Sequence, residues 1–222
     1  MPKKVALYFM LVMTMFLIAS CGKNNAGTES ARQKQQVNGQ VTEENFRSFP
    51  VTDGSMFYVD DVEGGVVLSG CKSELKDKVI VVPEKINGAE VVAVAMGAFF
   101  ENENVVAIVL PDTVKTIEET AFNGCEKLKY VYFGSGLKET GNMVFGFCKS
   151  IEKIELPEGI ERIGGIIAFK CASLKEITVP ASATDIPNGI MHSEDFDGVI
   201  KTPAGSAAEK AALEEGLKVE NY

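Results

Sequence analysis

The sequence contains little of what catalytic sites are usually built from. Its 222 residues include no tryptophan and a single histidine, His192. The surrounding stretch, GIMHSEDFDG, has no serine, cysteine or carboxylate in a recognisable catalytic order, which favours an ordinary loop histidine over a catalytic one. There is also no lysine-containing phosphate loop and no dinucleotide fingerprint. We therefore expect no enzymatic activity, no catalytic residues and no cofactor.

Basic residues are also scarce. The chain has 22 lysines and arginines against 31 aspartates and glutamates, which gives a net charge of −9. A protein with this balance repels phosphate backbones, and no basic stripe in the sequence offsets the repulsion. Nucleic acid is therefore not an expected partner.

Long apolar runs are missing except at the N-terminus. There, Lys3 and Lys4 precede VALYFMLVMTMFLIA, residues 5–19. Fifteen helical residues span roughly 22 Å, short of the ~30 Å hydrocarbon core of a bilayer. This length is typical of a signal peptide, which we assign to residues 1–20, and no other membrane-spanning segment is expected.

Cys21 directly follows the apolar run, in the sequence LIASC. This arrangement resembles a bacterial lipobox, and the resemblance implies that Cys21 is acylated and becomes the new N-terminus. The alternative is an ordinary signal peptide with Cys21 as a bystander. Two or three acyl chains hold a protein stably to a membrane. We therefore expect an exported protein that is lipid-anchored to the bacterial cell envelope, at the surface or in the periplasm.

The segment after Cys21 predicts a flexible tether over residues 21–48. It begins GKNNAGTESARQKQQVNGQ and is nearly devoid of large apolar residues. Such a composition cannot bury enough apolar surface to offset the entropy of ordering. The remaining residues, 49–222, are enough for one domain with its own core.

Similar phrases recur every 23 residues in the second half of the chain. Isoleucine or valine occupies one position of this register: Ile108, Val131, Ile154, Ile177 and Ile200. Proline recurs three residues later, with Gly134 in one of its places: Pro111, Pro157, Pro180 and Pro203. A third series, formed by Ile117, Ile163 and Ile186, is interrupted by Thr140. Several series in one register indicate a repeat protein.

Each repeat predicts a short strand followed by a turn. In KLKYVYF, Val131 and Phe133 alternate with Tyr130 and Tyr132, which is typical of a strand. Proline or glycine then ends the strand. The next stretch, DTVKTIEETAF, is too short for a long helix and suits a second extended piece with a tight helical turn. One unit cannot bury its own apolar face, whereas stacked units can, with strands about 4.8 Å apart.

The repeat phrase resembles that of the bacterial BspA-type leucine-rich repeat, L-x-x-I-x-L-P-x-x-V-x-x-I-x-x-x-A-F-x-x-C. The best matches begin at Val105 and Ile151, and the likeness extends over residues 56–219. The resemblance implies an α/β solenoid: a right-handed leucine-rich repeat superhelix with a parallel β-sheet, capped at both ends. For some family members it implies adhesion or binding to host and extracellular-matrix components, but it transfers no ligand.

Both ends of the predicted solenoid need caps, because the stack would otherwise expose its apolar cross-section. We assign residues 49–100 to the N-terminal cap and first repeat, 101–198 to the repeats and 199–222 to the C-terminal cap. In the last segment, Ser206 is expected to cap a helix over 207–215 that carries Leu213 on its apolar side.

The cysteines of the register invite a metal or disulfide interpretation. Their 23-residue spacing instead stacks Cys125, Cys148 and Cys171 inward in successive layers, where free cysteine packs as a small apolar residue. A disulfide between neighbours stays open, because an exported protein meets oxidising conditions. Cys71, in the N-terminal cap, has no predicted partner.

An acidic turn is the other candidate metal site. It contains Glu194, Asp195 and Asp197, before Gly198. These residues could attract calcium, but the rest of an EF-hand loop is missing. The sequence therefore favours a solvated acidic turn, and we predict no metal site.

The candidate binding site is the outward side of the predicted strands, on the concave face of the solenoid. It places two tyrosines between an apolar pair and charged residues: Ala107, Val109, Tyr130, Tyr132, Lys153, Glu155, Glu176 and Thr178. Tyrosine is enriched at interfaces, although outward strand positions favour it anyway. We therefore predict a protein that binds a protein or glycan ligand, such as a component of the host or the extracellular matrix. A structural envelope scaffold or spacer without a dedicated ligand is the alternative.

Overall fold

Short strands, stacked one turn above the next, form the body of the protein. The computed structural model describes residues 40–191, 194 and 196–222. These residues form a solenoid with parallel sheets, of about seven turns spaced about 23 residues apart. The predicted solenoid is therefore confirmed, and it contains little helix. The one α-helix of the described residues, α1, is Ala207–Glu214.

The strands are mostly two to seven residues long. In chain order they are β1 (Phe57–Val62), β2 (Gly65–Cys71), β3 (Val79–Val81), β4 (Lys85–Ile86), β5 (Ala89–Val94), β6 (Ala107–Val109), β7 (Thr116–Ile117), β8 (Tyr130–Tyr132), β9 (Glu139–Thr140), β10 (Phe145–Gly146), β11 (Lys153–Glu155), β12 (Arg162–Ile163), β13 (Ala168–Phe169), β14 (Glu176–Thr178), β15 (Val199–Thr202) and β16 (Lys218–Asn221).

Pairing between successive turns follows the 23-residue register. One side of the solenoid carries the order β1-β2-β5-β7-β9-β12, with β4 paired to β5. Another side carries two separate sheets, β3-β6-β8 and β11-β14-β15-β16. In these sheets Ile108 lies beside Val131, and Ile177 lies between Ile154 and Ile200. The strand positions expected from the isoleucine series are therefore observed.

The interior is a continuous apolar core. Phe122 stacks between Phe99 and Phe145, with ring centroids 5.5 Å and 5.4 Å apart. Thr140 is an exception, because it is buried in β9 where the neighbouring turns carry Ile117 and Ile163. Its hydroxyl oxygen has no hydrogen-bond partner. Leaving a buried hydroxyl unpaired costs about 1–3 kcal/mol.

Both ends of the solenoid are covered. At the N-terminal end, β1 and β2 form an antiparallel hairpin, and β2 then pairs with β5. At the C-terminal end, Ser206 Oγ accepts a hydrogen bond of 3.0 Å from the Glu209 N–H and caps α1. Ala208 and Ala212 are buried, but Leu213, which we expected on the apolar side, is exposed. Over the described part of the chain, no helix has the length and apolarity needed to span a membrane.

Candidate binding site

The outward-pointing side of β3, β6, β8, β11, β14 and β15, here called the outer face, changes character along the solenoid. Its first strands carry Val79, Val81, Ala107 and Val109, and β8 carries two tyrosines. The strands β11, β14 and β15 carry mainly charged side chains. The eight predicted site residues lie on this face in two groups of four, one on β6 and β8 and the other on β11 and β14.

A segment at the start of the described chain covers the apolar part of this face. We call residues 40–49 the strap. Phe46 is buried and stacks on Tyr130, with ring centroids 5.4 Å apart and planes inclined by 16°. The guanidinium carbon of Arg47 lies 3.7 Å from the ring centre of Tyr132. These contacts form a second, smaller apolar cluster outside the main core, with Val41, Phe46, Phe49, Val79, Val81, Ala107, Val109, Tyr130 and Tyr132.

The strap changes the expected exposure of the predicted patch. Ala107 is fully buried, and Val109, Tyr130 and Tyr132 are only partly exposed. Both tyrosines point outward as predicted, but they are partly covered because the strap packs on them. The chain also contacts the sheet from Val41 onward, which is earlier than the 48/49 boundary assigned to the tether.

The strap is held in place by local hydrogen bonds as well as by burial. The Thr42 N–H donates to Asn45 Oδ1 at 2.9 Å, and the Phe46 N–H donates to the Thr42 carbonyl at 3.1 Å. This turn aims Phe46 at the sheet. Two sequence features point to such a cover: aromatic residues at 46 and 49 in an otherwise polar segment, and apolar outward positions on β3.

The other half of the outer face, on β11, β14 and β15, carries a network of ion pairs. Lys153 pairs with Glu155 at 3.1 Å and with Glu176 at 3.3 Å, and Lys201 pairs with Glu176 at 2.9 Å. Burial raises the pKa of Glu176, but hydrogen bonds from Lys201 and Lys153 outweigh it and hold that pKa below its usual range. Lys201 also approaches Glu220 on β16, at 3.9 Å.

The two halves meet at a break in the strand pairing. No ladder and no backbone hydrogen bond joins β8 to β11 among the described residues. On the opposite side the same two turns stay paired, with Glu139 beside Arg162 and Thr140 beside Ile163. Strand pairing between these two turns is therefore kept on one side of the solenoid and missing on the outer face.

Two glycines after β8 lie close to the backbone of the preceding turn. A Cβ added to Gly134 would lie 2.6 Å from the carbonyl oxygen of Pro111, and one on Gly136 would lie 1.8 Å from that of Asp112. The backbone after β8 is thus pressed against the preceding turn. The Ser135 N–H donates to Asp112 Oδ1 at 2.7 Å and holds it there.

A cavity of about 730 Å³ opens at this break, and we call it the cleft. Its walls include the strap, both tyrosines of β8, the residues of β11 and the last residue, Tyr222. The volume lies within the range of about 300–1,000 Å³ that is common for ligand sites.

Carboxylates surround the tyrosines of the cleft. Burial and the charges of Glu152, Glu43 and Glu44 raise the pKa of Tyr130. Burial and the charges of Glu158 and Glu155 likewise raise the pKa of Tyr222. Both hydroxyls stay protonated at neutral pH, so the cleft presents aromatic rings and hydrogen-bonding hydroxyls next to negative charge.

The predicted cysteine column lies elsewhere, in the interior. Cys125 and Cys148 are buried and Cys171 is half-buried, and all three are free thiols. Each thiol donates to the carbonyl of a phenylalanine in the core: Cys125 to Phe99 at 3.0 Å, Cys148 to Phe122 at 3.2 Å and Cys171 to Phe145 at 2.7 Å. Burial raises the pKa of Cys125 to about 12, so this thiol stays protonated and unreactive.

Cys71 contacts the residue that precedes the cysteines in the register. Asn102 lies 23 residues before Cys125, and its Nδ2 donates to Cys71 Sγ at 3.6 Å. Asn102 Oδ1 also accepts hydrogen bonds from the N–H groups of Asn104 and Val105. The side chain that stands in for a cysteine thus links the N-terminal cap to the first full turn.

The remaining sequence candidates lie away from the cleft or outside the described residues. Cys21, His192 and Asp195 belong to the second group. Glu194 is exposed, and Asp197 is exposed and pairs with Lys218. Within residues 40–191, 194 and 196–222, no three His, Cys, Asp or Glu side chains are grouped so that they could hold a metal ion.

Comparison with known proteins gives a family match over the repeats. The family model of the BspA type leucine rich repeat region matches residues 93–200 in six copies. No curated protein matches the sequence.

Solved structures of bacterial repeat proteins resemble the chain. The T. pallidum leucine rich repeat protein is 26% identical, with a TM-score of 0.63, over 68% of this chain and 71% of its own. A Bacteroides ovatus leucine-rich repeat protein is 28% identical, with a TM-score of 0.56, over 72% of this chain and 45% of its own. A Faecalibacterium prausnitzii leucine rich cell surface protein is 26% identical, with a TM-score of 0.51, over 72% of this chain and 36% of its own.

Proposed function

Since the repeats at residues 93–200 make this chain a BspA-type leucine-rich repeat protein, we propose that it is a lipid-anchored protein of the bacterial cell envelope. Its function is to bind a protein or glycan partner, in an adhesion-type role, through the outer face. A partly open face with aromatic rings, charges and a cavity is the kind of surface that such binding needs.

The cleft is the observation that carries this proposal. It brings Tyr130 and Tyr132 next to Lys153 and Glu155 around a cavity of about 730 Å³. Aromatic residues in a well-packed setting, bordered by charged groups, are typical of residues that dominate binding energy. The interior, in contrast, is filled by apolar side chains that leave little polar chemistry for a partner.

Binding is tested with the chain that begins at residue 22, screened against matrix proteins, mucins, glycans and envelope components. We expect Lys153→Ala to weaken binding of the partner by about tenfold. The reason is that a charge-assisted contact that becomes buried in the complex is worth about 1.5–3 kcal/mol. Lys149→Ala is the matched control, since Lys149 is an exposed, ion-paired lysine that does not line the cleft. A partner affected equally by both variants, or by neither, would contradict binding at the outer face.

The anchor rests on the sequence LIASC after a 15-residue apolar run. The surface location is also consistent with the F. prausnitzii relative, whose name is that of a cell surface protein. Cys21→Ala is expected to abolish labelling by a fatty-acid analogue and to leave a precursor or a released product. Cys71→Ala, which keeps Cys21, should label normally. Undiminished labelling of the Cys21 variant would refute the anchor.

A spacer or scaffold role is the second candidate, and the ion-pair network favours it. Lys153, Glu176 and Lys201 satisfy one another, which leaves less free charge for a partner on that half of the face. A spacer should tolerate changes in the cleft but not a change in the number of turns. Deleting one whole 23-residue repeat and, separately, changing cleft side chains would distinguish the two functions in cells.

A further inference from the structure

A third side of the solenoid exposes aromatic rings to solvent. It carries β10 and β13, and we define this third side by residues 96–101, 119–124, 142–147 and 165–170. Phe100 is 53% exposed and Phe147 is 38% exposed. The ring of Phe147 meets that of Phe169 edge-on, with centroids 5.6 Å apart. Clustered exposed apolar groups are typical of interaction sites.

The rings flank two turns that carry no ring at the corresponding position. Successive turns contribute one residue each at 23-residue spacing: Phe100, Asn123, Gly146 and Phe169. Gly146 lies beside Phe169 in the pairing of β10 with β13, and the Glu101 N–H donates to the Asn123 carbonyl at 2.8 Å. Hydrogen-bonded turns are about 4.8 Å apart, so about 14 Å separate Phe100 from Phe169.

The side-chain amide of Asn123 lies between the rings. This residue is only 7% exposed, and a Cβ added to Gly146 would collide with Asn123 Nδ2, so the amide covers the bare backbone of Gly146. Among the described residues, no hydrogen bond engages this amide. The fully enclosed side-chain oxygens without a partner belong to Thr113 and Thr140, so the polar atoms of Asn123 reach the surface. A nearly buried amide is unfavourable unless a partner supplies its hydrogen bonds, and Asn123 therefore points to a ligand.

Phe147 adopts a backbone conformation that suits glycine. Its φ is 58°, and the corresponding residue one turn earlier is Gly124, with φ 78°. The turn imposes this left-handed conformation, since Glu101 and Lys170 share it. A bulky residue is disfavoured there, and such strain is typical of functional positions. The main core does not require this phenylalanine, because Phe147 lies outside it.

The chemistry of the third side favours a peptide over a sugar. The Asn123 amide offers a carbonyl acceptor and an NH₂ donor, which match the N–H and C=O of a peptide chain. In an extended chain, the N–H and C=O of one residue point to the same side, so one residue can bond to both atoms of the amide. Phenylalanine rings offer apolar contact but no hydrogen bond to a sugar hydroxyl. At about 3.3 Å per residue, four or five extended residues span the distance between the rings.

Charges of both signs border the rings. The Lys170 ammonium lies 5.3 Å from the ring centre of Phe169 and 5.8 Å from that of Phe147. Glu101, at the corresponding position three turns earlier, is exposed. Such a balance gives no preference for an ionic ligand, whereas the rings favour apolar side chains.

We propose that the third side binds an extended, uncharged peptide segment of a partner protein. Asn123 holds the main chain of its central residue, and the rings of Phe100, Phe147 and Phe169 hold apolar side chains on either side of it. None of these residues lines the cleft. The third side is therefore a second interaction surface, which a partner can engage independently of the outer face.

The experiment uses a synthetic peptide and the chain that begins at residue 22. The probe is a blocked pentapeptide of alternating leucine and serine, and its binding is measured by calorimetry. Two control peptides replace the central N–H by an ester oxygen or the terminal leucines by serine. The protein variants are Asn123→Ala and Phe147→Gly. Tyr58→Ala is the matched control, because Tyr58 is an aromatic residue on β1 that is 56% exposed. Thermal melting checks that each variant is folded.

We expect the leucine peptide to bind with a Kd below about 1 mM. Each control peptide and each of the two site variants should weaken binding by about tenfold, which corresponds to about 1.4 kcal/mol. Phe147→Gly should do so without lowering the melting temperature, because glycine suits the backbone conformation at this position. Tyr58→Ala and Lys153→Ala should leave binding of the peptide unchanged.

A leucine peptide that fails to bind, an ester that binds equally well, or unchanged binding to Asn123→Ala would overturn the proposal. Binding of a neutral trisaccharide with the same dependence on Asn123 would overturn it in favour of a glycan. A dimer in solution that Phe147→Gly dissociates would overturn it in favour of a second copy. Because none of these outcomes involves Lys153, this inference can fail while the proposed function stands.

Discussion

Removing the Phe46 ring is expected to release the strap from the outer face. The ring is buried against Tyr130 and the apolar residues of β3 and β6. Burying a phenylalanine is worth about 1.5–3 kcal/mol, and an aromatic pair adds about 0.5–1.5 kcal/mol. Phe46→Ala should therefore weaken docking of the strap by about 3 kcal/mol, which is on the order of 100-fold in the docking equilibrium. The main core contains none of these contacts, so the solenoid should stay folded.

Limited trypsin cleavage after Arg47 measures this opening directly. When opening is fast, the cleavage rate follows the population of the open state, so it should rise on the order of 100-fold. Hydrogen exchange of residues 41–49 should accelerate together with it. Phe100→Ala is the matched control, because Phe100 is 53% exposed and lies outside the strap. Unchanged cleavage in Phe46→Ala, or an equal rise in the control, would refute the assignment of the strap.

Three further predictions concern stability. Thr140→Val should raise the free energy of unfolding by about 1–2 kcal/mol, because it removes an unpaired buried hydroxyl. Thr116→Val is the control, because the Thr116 hydroxyl contacts Glu139 at 3.3 Å. Thermal melting should show a higher stability for the first variant and no gain for the second. Cys148→Ala should cost about 1 kcal/mol, and a reduction-dependent gel shift or a metal lost on mutation would contradict its packing role. Glu176→Gln should destabilise the protein at pH 7, which a lower melting temperature would show. Because the folded pKa of Glu176 is lowered from 4.5, this difference should persist above that value and disappear as pH falls through the folded pKa; a pH-independent difference would contradict the ion-pair account.

The repeating part of the fold was predictable from the sequence because its contacts have a constant spacing. Ile154, Ile177 and Ile200 are neighbours for the same reason that they recur every 23 residues, since one turn of chain separates them. The cysteine column and its burial follow from the same register. The cap at Ser206 was readable because helix capping is local, involving the N–H of Glu209 three residues later.

The strap could not be placed by the same reasoning. Its contact with Tyr130 has no periodic relation to the repeats, and apart from the aromatic residues at 46 and 49 its composition is close to that of a polar linker. What decides its position is tertiary: β3 and β6 present Val79, Val81 and Ala107 outward, and burying them together with Phe46 offsets the cost of ordering the segment.

The sequence by itself determined the length of the repeating turns and the inward face of their strands, because these depend on neighbours at fixed spacing. Only the tertiary structure decided where the outer sheet parts. The degenerate repeat with Gly134 was visible in the sequence, but its consequence was not. The missing pairing between β8 and β11 depends on how the turns pack and not on the repeat pattern, which places Val131 and Ile154 in the same register.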